Sequence, residues 1–154
     1  MKKFLIAALI AALLLCCTAL ANSVPAYMPD YISYGDSGDP LNYLQELLGV
    51  DENDPVYREP IFGDETYQAL AQFQYEYDLA ATCEFDAETL YTLLGFDLRD
   101  LANDFLVWIP MHGGARYHSI PSCSSMIYPQ QMPEACAYYL GFSACGTCFD
   151  EIYY

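Results

Sequence analysis

Positive charge is what this chain has least of. Its 154 residues include five Lys and Arg together against 21 Asp and Glu, and both lysines stand at positions 2 and 3. Beyond them the basic side chains are Arg58, Arg99 and Arg116. A surface so poor in cations cannot neutralise phosphates and release their counterions, which excludes nucleic acid as a partner and sets phosphate-rich polymers at a disadvantage. Histidine occurs twice, at 112 and 118, and tryptophan once, so little imidazole is on hand for catalysis. After Cys17 no segment is apolar over the length that a bilayer crossing requires.

The first residues carry most of the apolar sequence. Lys2 and Lys3 precede a run from Phe4 to Cys17 and a small-x-small site at Ala19-Leu20-Ala21, the pattern of an export signal cut before Asn22. Residues 1–21 therefore read as a signal peptide, and the remainder as a secreted or envelope protein outside the cytoplasm. A lipid anchor at Cys16 or Cys17 is the poorer reading, because leucines stand where a small residue is wanted before Cys16. Cleavage leaves three cations against 21 carboxylates, a formal charge of −18. About 130 residues can bury one ordinary core or two small ones, and the sequence favours two. Five cysteines remain, at 83, 123, 136, 145 and 148, an odd number that cannot all pair within one chain.

Residues 22–32 are polar, with Pro and Tyr and no period, and read as a flexible lead-in. Asp39-Pro40 then supplies an N-cap and a preset first helical residue, and Leu41, Leu44, Leu47 and Leu48 form an apolar stripe that ends at Gly49. A phrase follows that is used twice: Phe62-Gly-Asp-Glu65-Thr66-x-x-x-Leu70 and Phe85-Asp-Ala-Glu88-Thr89-x-x-x-Leu93. In each copy a turn residue, Gly63 or Asp86, can cap a helix whose first turn holds a Glu and a Thr. The second helix is expected from about Asp64 to Tyr77, with Ala69, Leu70, Phe73 and Tyr77 facing the core.

Together with Gly35-x-x-Gly38, Leu44-Gln45 and Phe73-Gln74, this series resembles the three-helix peptidoglycan-binding domain of bacterial wall proteins. The resemblance covers about residues 33–95 and implies a three-helix fold and a role on the wall; the wall-contacting residues are unknown. Where that family carries Gly before its third helix, this chain has Cys83-Glu84, so a turn of positive φ would be strained there.

Residues 96–103 read as a linker and 104–150 as a second, α+β unit, with 151–154 as a tail. Phe105 to Ile109 reads as a buried strand, Gly113-Gly114 as a hairpin turn, Ala115 to Ile120 as the return arm, and Pro133 as the start of a helix closed by Gly141. The fold class expected is thus a mainly α three-helix N-terminal domain plus a small α+β domain of hairpin, helix and Cys/His knuckle.

Within that unit stand Tyr117-His118-x-x-x-x-Cys123 and, after 21 intervening residues, Cys145-Gly-Thr-Cys148. Three soft thiolates and an imidazole make the tetrahedral shell zinc prefers, and a unit of about 50 residues gains from a metal the cohesion its interior lacks. His118, Cys123, Cys145 and Cys148 are the candidate ligands, for a closed structural site. The alternative is a disulfide joining Cys123 to Cys145 or Cys148, as exported thiols oxidise, although this leaves His118 unexplained. Gly114, Tyr117, His118, Cys123, Ala135, Gly141, Phe142, Cys145 and Cys148 together resemble a His-Cys-rich module at the C-terminal end of secreted bacterial proteins. It is similar to the four-cysteine zinc unit of DNA-alkylation response proteins, whose role on DNA does not transfer to a chain without basic surface.

A catalytic role, as wall hydrolase or redox accessory, ranks below binding. A papain-like site needs a Cys beside a His with an orienting group, and a zinc amidase needs an open coordination position. The expectation is a non-enzymatic peptidoglycan-binding protein with a zinc-stapled C-terminal module. The alternative is an interaction scaffold whose anionic, tyrosine-rich surface meets a basic partner.

Overall fold

A computed structural model describes residues 30–149; the expected signal peptide, most of the lead-in and the tail lie outside the described residues. Helices α1 (Asp39–Leu48), α2 (Asp64–Glu76) and α3 (Ala87–Leu93) precede a 3-10 turn at Leu101–Asn103. Strands β1 (Leu106–Ile109), β2 (Arg116–Tyr117) and β3 (Gln130–Pro133) follow, then α4 (Glu134–Tyr139), β4 (Ser143–Ala144) and α5 (Gly146–Phe149). β1 pairs antiparallel with β3, β2 pairs parallel with β4, and Trp108 and His118 bridge the two ladders.

The expected fold class is overturned. The helices do not close as a three-helix domain: the described residues form one small mixed α/β fold. A single hydrophobic cluster runs from Ile32, Leu41, Leu44, Phe62 and Leu70 through Phe85 and Leu90 to Val107, Ile109, Met132 and Phe149. The reason lies in the bonds that cross the sequence. Asp30 and Gln131 exchange backbone and side-chain bonds at 2.6 and 3.2 Å. Tyr91 donates its hydroxyl to Asp104 at 2.6 Å, and the same carboxylate accepts the Ala135 N–H at the start of α4. Sheet and helices therefore share an interior that neither could fill alone.

α1 begins where Gly38 (φ 144°) lets the chain touch Met111. A Cβ at Gly38 would lie 2.1 Å from the Met111 carbonyl oxygen, which itself accepts the Asp39 N–H at 2.9 Å. Leu41, Leu44 and Gln45 are buried, whereas Leu47 is largely exposed.

The repeated phrase has a structural counterpart. Phe62 and Phe85 are both fully buried and meet edge to face at 5.5 Å. Gln45 of α1 donates to Thr66 Oγ1 of α2 at 2.8 Å, and Gln74 of α2 donates to Thr89 Oγ1 of α3 at 2.9 Å. Each helix is thus joined to the next by an amide and a hydroxyl that solvent does not reach. The buried stripe of α2 is Thr66, Leu70, Ala71 and Gln74, one notch away from the apolar phase; Phe73 is half-buried and Tyr77 is exposed.

The two helix starts are capped differently. Asp86 accepts the Thr89 N–H at 2.8 Å, as expected of an N-cap. At Gly63 the carboxylate comes from the preceding loop: Glu52 accepts N–H groups of Gly63, Glu65 and Thr66 and the Thr66 hydroxyl, at 2.9–3.2 Å. The turn before α3 has the strain expected of it, since Cys83 stands at φ 56°. Gln74 Oε1 holds it there by accepting the Cys83 N–H at 3.0 Å. Cys123, Cys136, Cys145 and Cys148 are free thiols.

Candidate metal centre

The sheet brings the four candidate ligands together. β1 holds His118 by reciprocal backbone bonds with Trp108, both 2.8 Å, so the imidazole is fixed at a bridge between strands. The Gly113-Gly114 turn (φ 62° and 86°) returns the chain for that bridge, and a Cβ at Gly114 would press on Pro110 at 3.0 Å. Parallel pairing of β4 with β2 then sets Cys145 beside Tyr117, whose carbonyl accepts the Cys145 N–H at 3.0 Å. α5 carries Cys148 one turn on and is pinned by Phe149, which lies edge-on to Tyr117 at 5.3 Å. Cys123 arrives on the loop after β2, where its N–H donates to Ile120 at 3.4 Å.

One ligand atom from each of His118, Cys123, Cys145 and Cys148 falls within 4.8 Å of all the others, a group that can hold a metal ion. The sulfurs of Cys123 and Cys145 are 3.8 Å apart, and Cys148 Sγ is 3.7 Å from His118 Nδ1. A disulfide closes to about 2.05 Å, so these thiols are not bonded to each other. His118 and Cys145 are buried, Cys123 and Cys148 half-buried.

Local polar groups favour thiolate at one sulfur in particular. Backbone N–H groups of Thr147 and Cys148 point at Cys145 and draw its thiol down to about 7. The Cys123 thiol goes the other way, raised first by its bond with Cys148 and then by burial. Burial, followed by the charge of Arg116, lowers His118 and so favours the neutral imidazole, the form that binds metal.

The four candidate ligands stand out in the sequence, but the groups behind them do not. Ser119 donates its N–H to Cys148 Sγ at 3.4 Å and its hydroxyl to the Cys148 carbonyl at 3.1 Å. Ser124 Oγ lies 3.5 Å from His118 Nε2, where it can fix the ring so that Nδ1 faces the sulfurs. The available signal was a serine directly after His118 and another directly after Cys123. His112 does not join the cluster; its Nδ1 is 3.6 Å from Glu59. Cys136 is fully buried on α4, outside the cluster, and burial together with Asp104 pushes its thiol up to about 12.

No protein-family model matches this chain, and neither a curated protein nor a solved structure is significantly similar to it.

Proposed function

We propose that His118, Cys123, Cys145 and Cys148 bind one zinc ion in a closed, structural site, and that the protein is a non-catalytic binding protein stapled by that ion. The observation that carries this reading is a pair of distances. Sulfurs about 2.3 Å from a shared zinc, in tetrahedral order, stand about 3.8 Å apart, and a sulfur and an imidazole nitrogen stand about 3.6 Å apart. The corresponding separations here are 3.8 Å for Cys123 and Cys145 and 3.7 Å for Cys148 and His118. Three soft sulfurs disfavour calcium and magnesium, which take oxygen. Four protein donors leave no coordination position for a reacting water, so the ion's role is cohesion.

The surroundings need that cohesion. β2 and β4 are two residues each and α5 is four, lengths that do not persist unaided. Elemental analysis and thiol counting on the purified protein test the reading. About one zinc per chain supports it, and a zinc-free protein indifferent to chelators contradicts it.

For a partner we propose peptidoglycan, through its glycan or peptide stems rather than its phosphate-bearing polymers. The mixed fold removes the three-helix argument for this assignment. What supports it is that Gln45, Phe62, Thr66, Gln74 and Thr89, residues of the series that resembles the wall-binding family, are held in the interior by amide–hydroxyl bonds and by the contact of Phe62 with Phe85. Retention on purified sacculi at moderate salt is the expected result. No retention, with salt-sensitive capture by a basic protein instead, would favour the scaffold reading.

A further inference from the structure

Three of the four candidate ligands, His118, Cys123 and Cys145, reach one open cavity. Cys123 and Cys145 line an open cavity of about 580 Å³, together with Gly113, Gly114, Arg116 and Ser124. Cys148 is absent from that lining; its sulfur is turned to the Ser119 N–H and to His118 Nδ1. The two cavity-facing sulfurs are 3.8 Å apart, so closing them to a bond of about 2.05 Å requires a shift well within the reach of two side-chain torsions on a loop and a knuckle. Cys136 cannot compete for either, since it is fully buried elsewhere.

We propose that Cys123 and Cys145 form a site of reversible oxidation, at which hydrogen peroxide converts the two metal-bound thiolates into a disulfide and expels the metal. The proposal rests on the zinc reading above. In the first step the Cys123 thiolate, the more exposed of the pair, attacks one peroxide oxygen; the O–O bond breaks, hydroxide leaves, and Cys123 becomes a sulfenic acid. In the second, the Cys145 thiolate attacks the Cys123 sulfur, the S–O bond breaks and a second hydroxide leaves. Two thiolates have lost one electron each, peroxide has taken both, and two protons from solvent turn the hydroxides into water. The metal, left with Cys148 and His118, departs as the aqueous dication.

The two oxidation states then have different structures at one place. With metal, the loop after β2 and the β4–α5 knuckle are held to His118; without it, a single covalent link holds the loop to the knuckle, and His118 and Cys148 are released. A dithiol with zinc restores the first state by exchange at the disulfide.

The experiment titrates the zinc-loaded protein with hydrogen peroxide, follows free zinc with a chromogenic chelator, and maps disulfides by mass spectrometry of peptic peptides. The expected result is about one zinc freed per peroxide consumed, a new Cys123–Cys145 link, and recovery of bound zinc after dithiothreitol and zinc. The Cys136→Ala variant should give the same map. Zinc retained in about tenfold excess peroxide overturns the proposal, as does release with a Cys145–Cys148 link or with sulfinic acid at Cys123. A protein that holds no zinc before peroxide is added fails at the earlier step, and overturns the zinc reading and the release together.

Discussion

The Gln74 side chain donates to Thr89 Oγ1 at 2.9 Å, one helix along from the place where Gln45 donates to Thr66 Oγ1 at 2.8 Å. Gln74 does more than its counterpart. The same amide donates to Thr82 Oγ1 and the Glu84 carbonyl, and its oxygen accepts the Cys83 N–H in the strained turn. Replacement by Leu would keep the volume and strand several polar groups in the interior. Gln74→Leu is expected to cost about 3 kcal/mol and Gln45→Leu about 2, at 1–3 kcal/mol for buried groups left without partners. Urea unfolding midpoints measure both, and equal effects would contradict the asymmetry.

Glu52 is the remote cap of α2, and its charge has a pH signature. Partial burial raises its pKa, but the N–H groups of Thr66, Glu65 and Gly63 and the Thr66 hydroxyl outweigh that, and the folded value lies below the ordinary one. A depressed carboxylate stabilises the fold fully above its unfolded pKa, about 4.3, and loses that contribution as pH falls through the folded value. Glu52→Gln should lower stability at neutral pH by about 1 kcal/mol, within the range for a lost cap. The variant and the parent should converge as pH drops through the acid range. Parallel curves of stability against pH would contradict the assignment.

Gly38→Ala tests the join between α1 and the second half of the chain. The added carbon would meet the Met111 carbonyl at 2.1 Å, and that carbonyl cannot withdraw without breaking its bond to Asp39. At φ 144° the backbone is itself unsuited to alanine. A loss of about 3 kcal/mol is expected from strain and overpacking. A neutral substitution would mean that the two halves are not in contact here.

Cysteine variants separate the ligands from the bystander. Cys136→Ala should keep one zinc per chain, because the thiol lies outside the cluster. Cys148→Ser should release zinc under chelator concentrations that leave the parent loaded, since one of three thiolates is gone. The reverse pattern would reassign the shell.

Much of the local structure was legible in the sequence. The Asp86 cap, the strand around Val107 and the glycine turn that returns His118 follow from capping, periodicity and turn chemistry, whereas the first helix, expected to be capped by Asp39, is capped at Gly38 without a side-chain bond. The spacing of His118, Cys123, Cys145 and Cys148 likewise marked four residues that the fold gathers within 4.8 Å of one another. What escaped notice was polar burial. Thr66, Gln74, Gln130 and Gln131 are polar side chains, yet they are buried, and Gln130 and Gln131 belong to the strand that pairs with β1. That strand bonds to Asp30 and Asp36, and so merges two expected cores into one. A hydropathy period cannot register a buried glutamine such as Gln74, whose amide donates to Thr89 and accepts from Cys83.

The proposed centre is one metal ion joined to three sulfurs and one imidazole. X-ray absorption at the zinc edge on the purified protein tests it most directly. Three sulfurs at about 2.3 Å and one nitrogen at about 2.0–2.1 Å are expected, with the nitrogen signature lost in His118→Ala. An oxygen-rich shell, a shell of four sulfurs, or no zinc at all would contradict it.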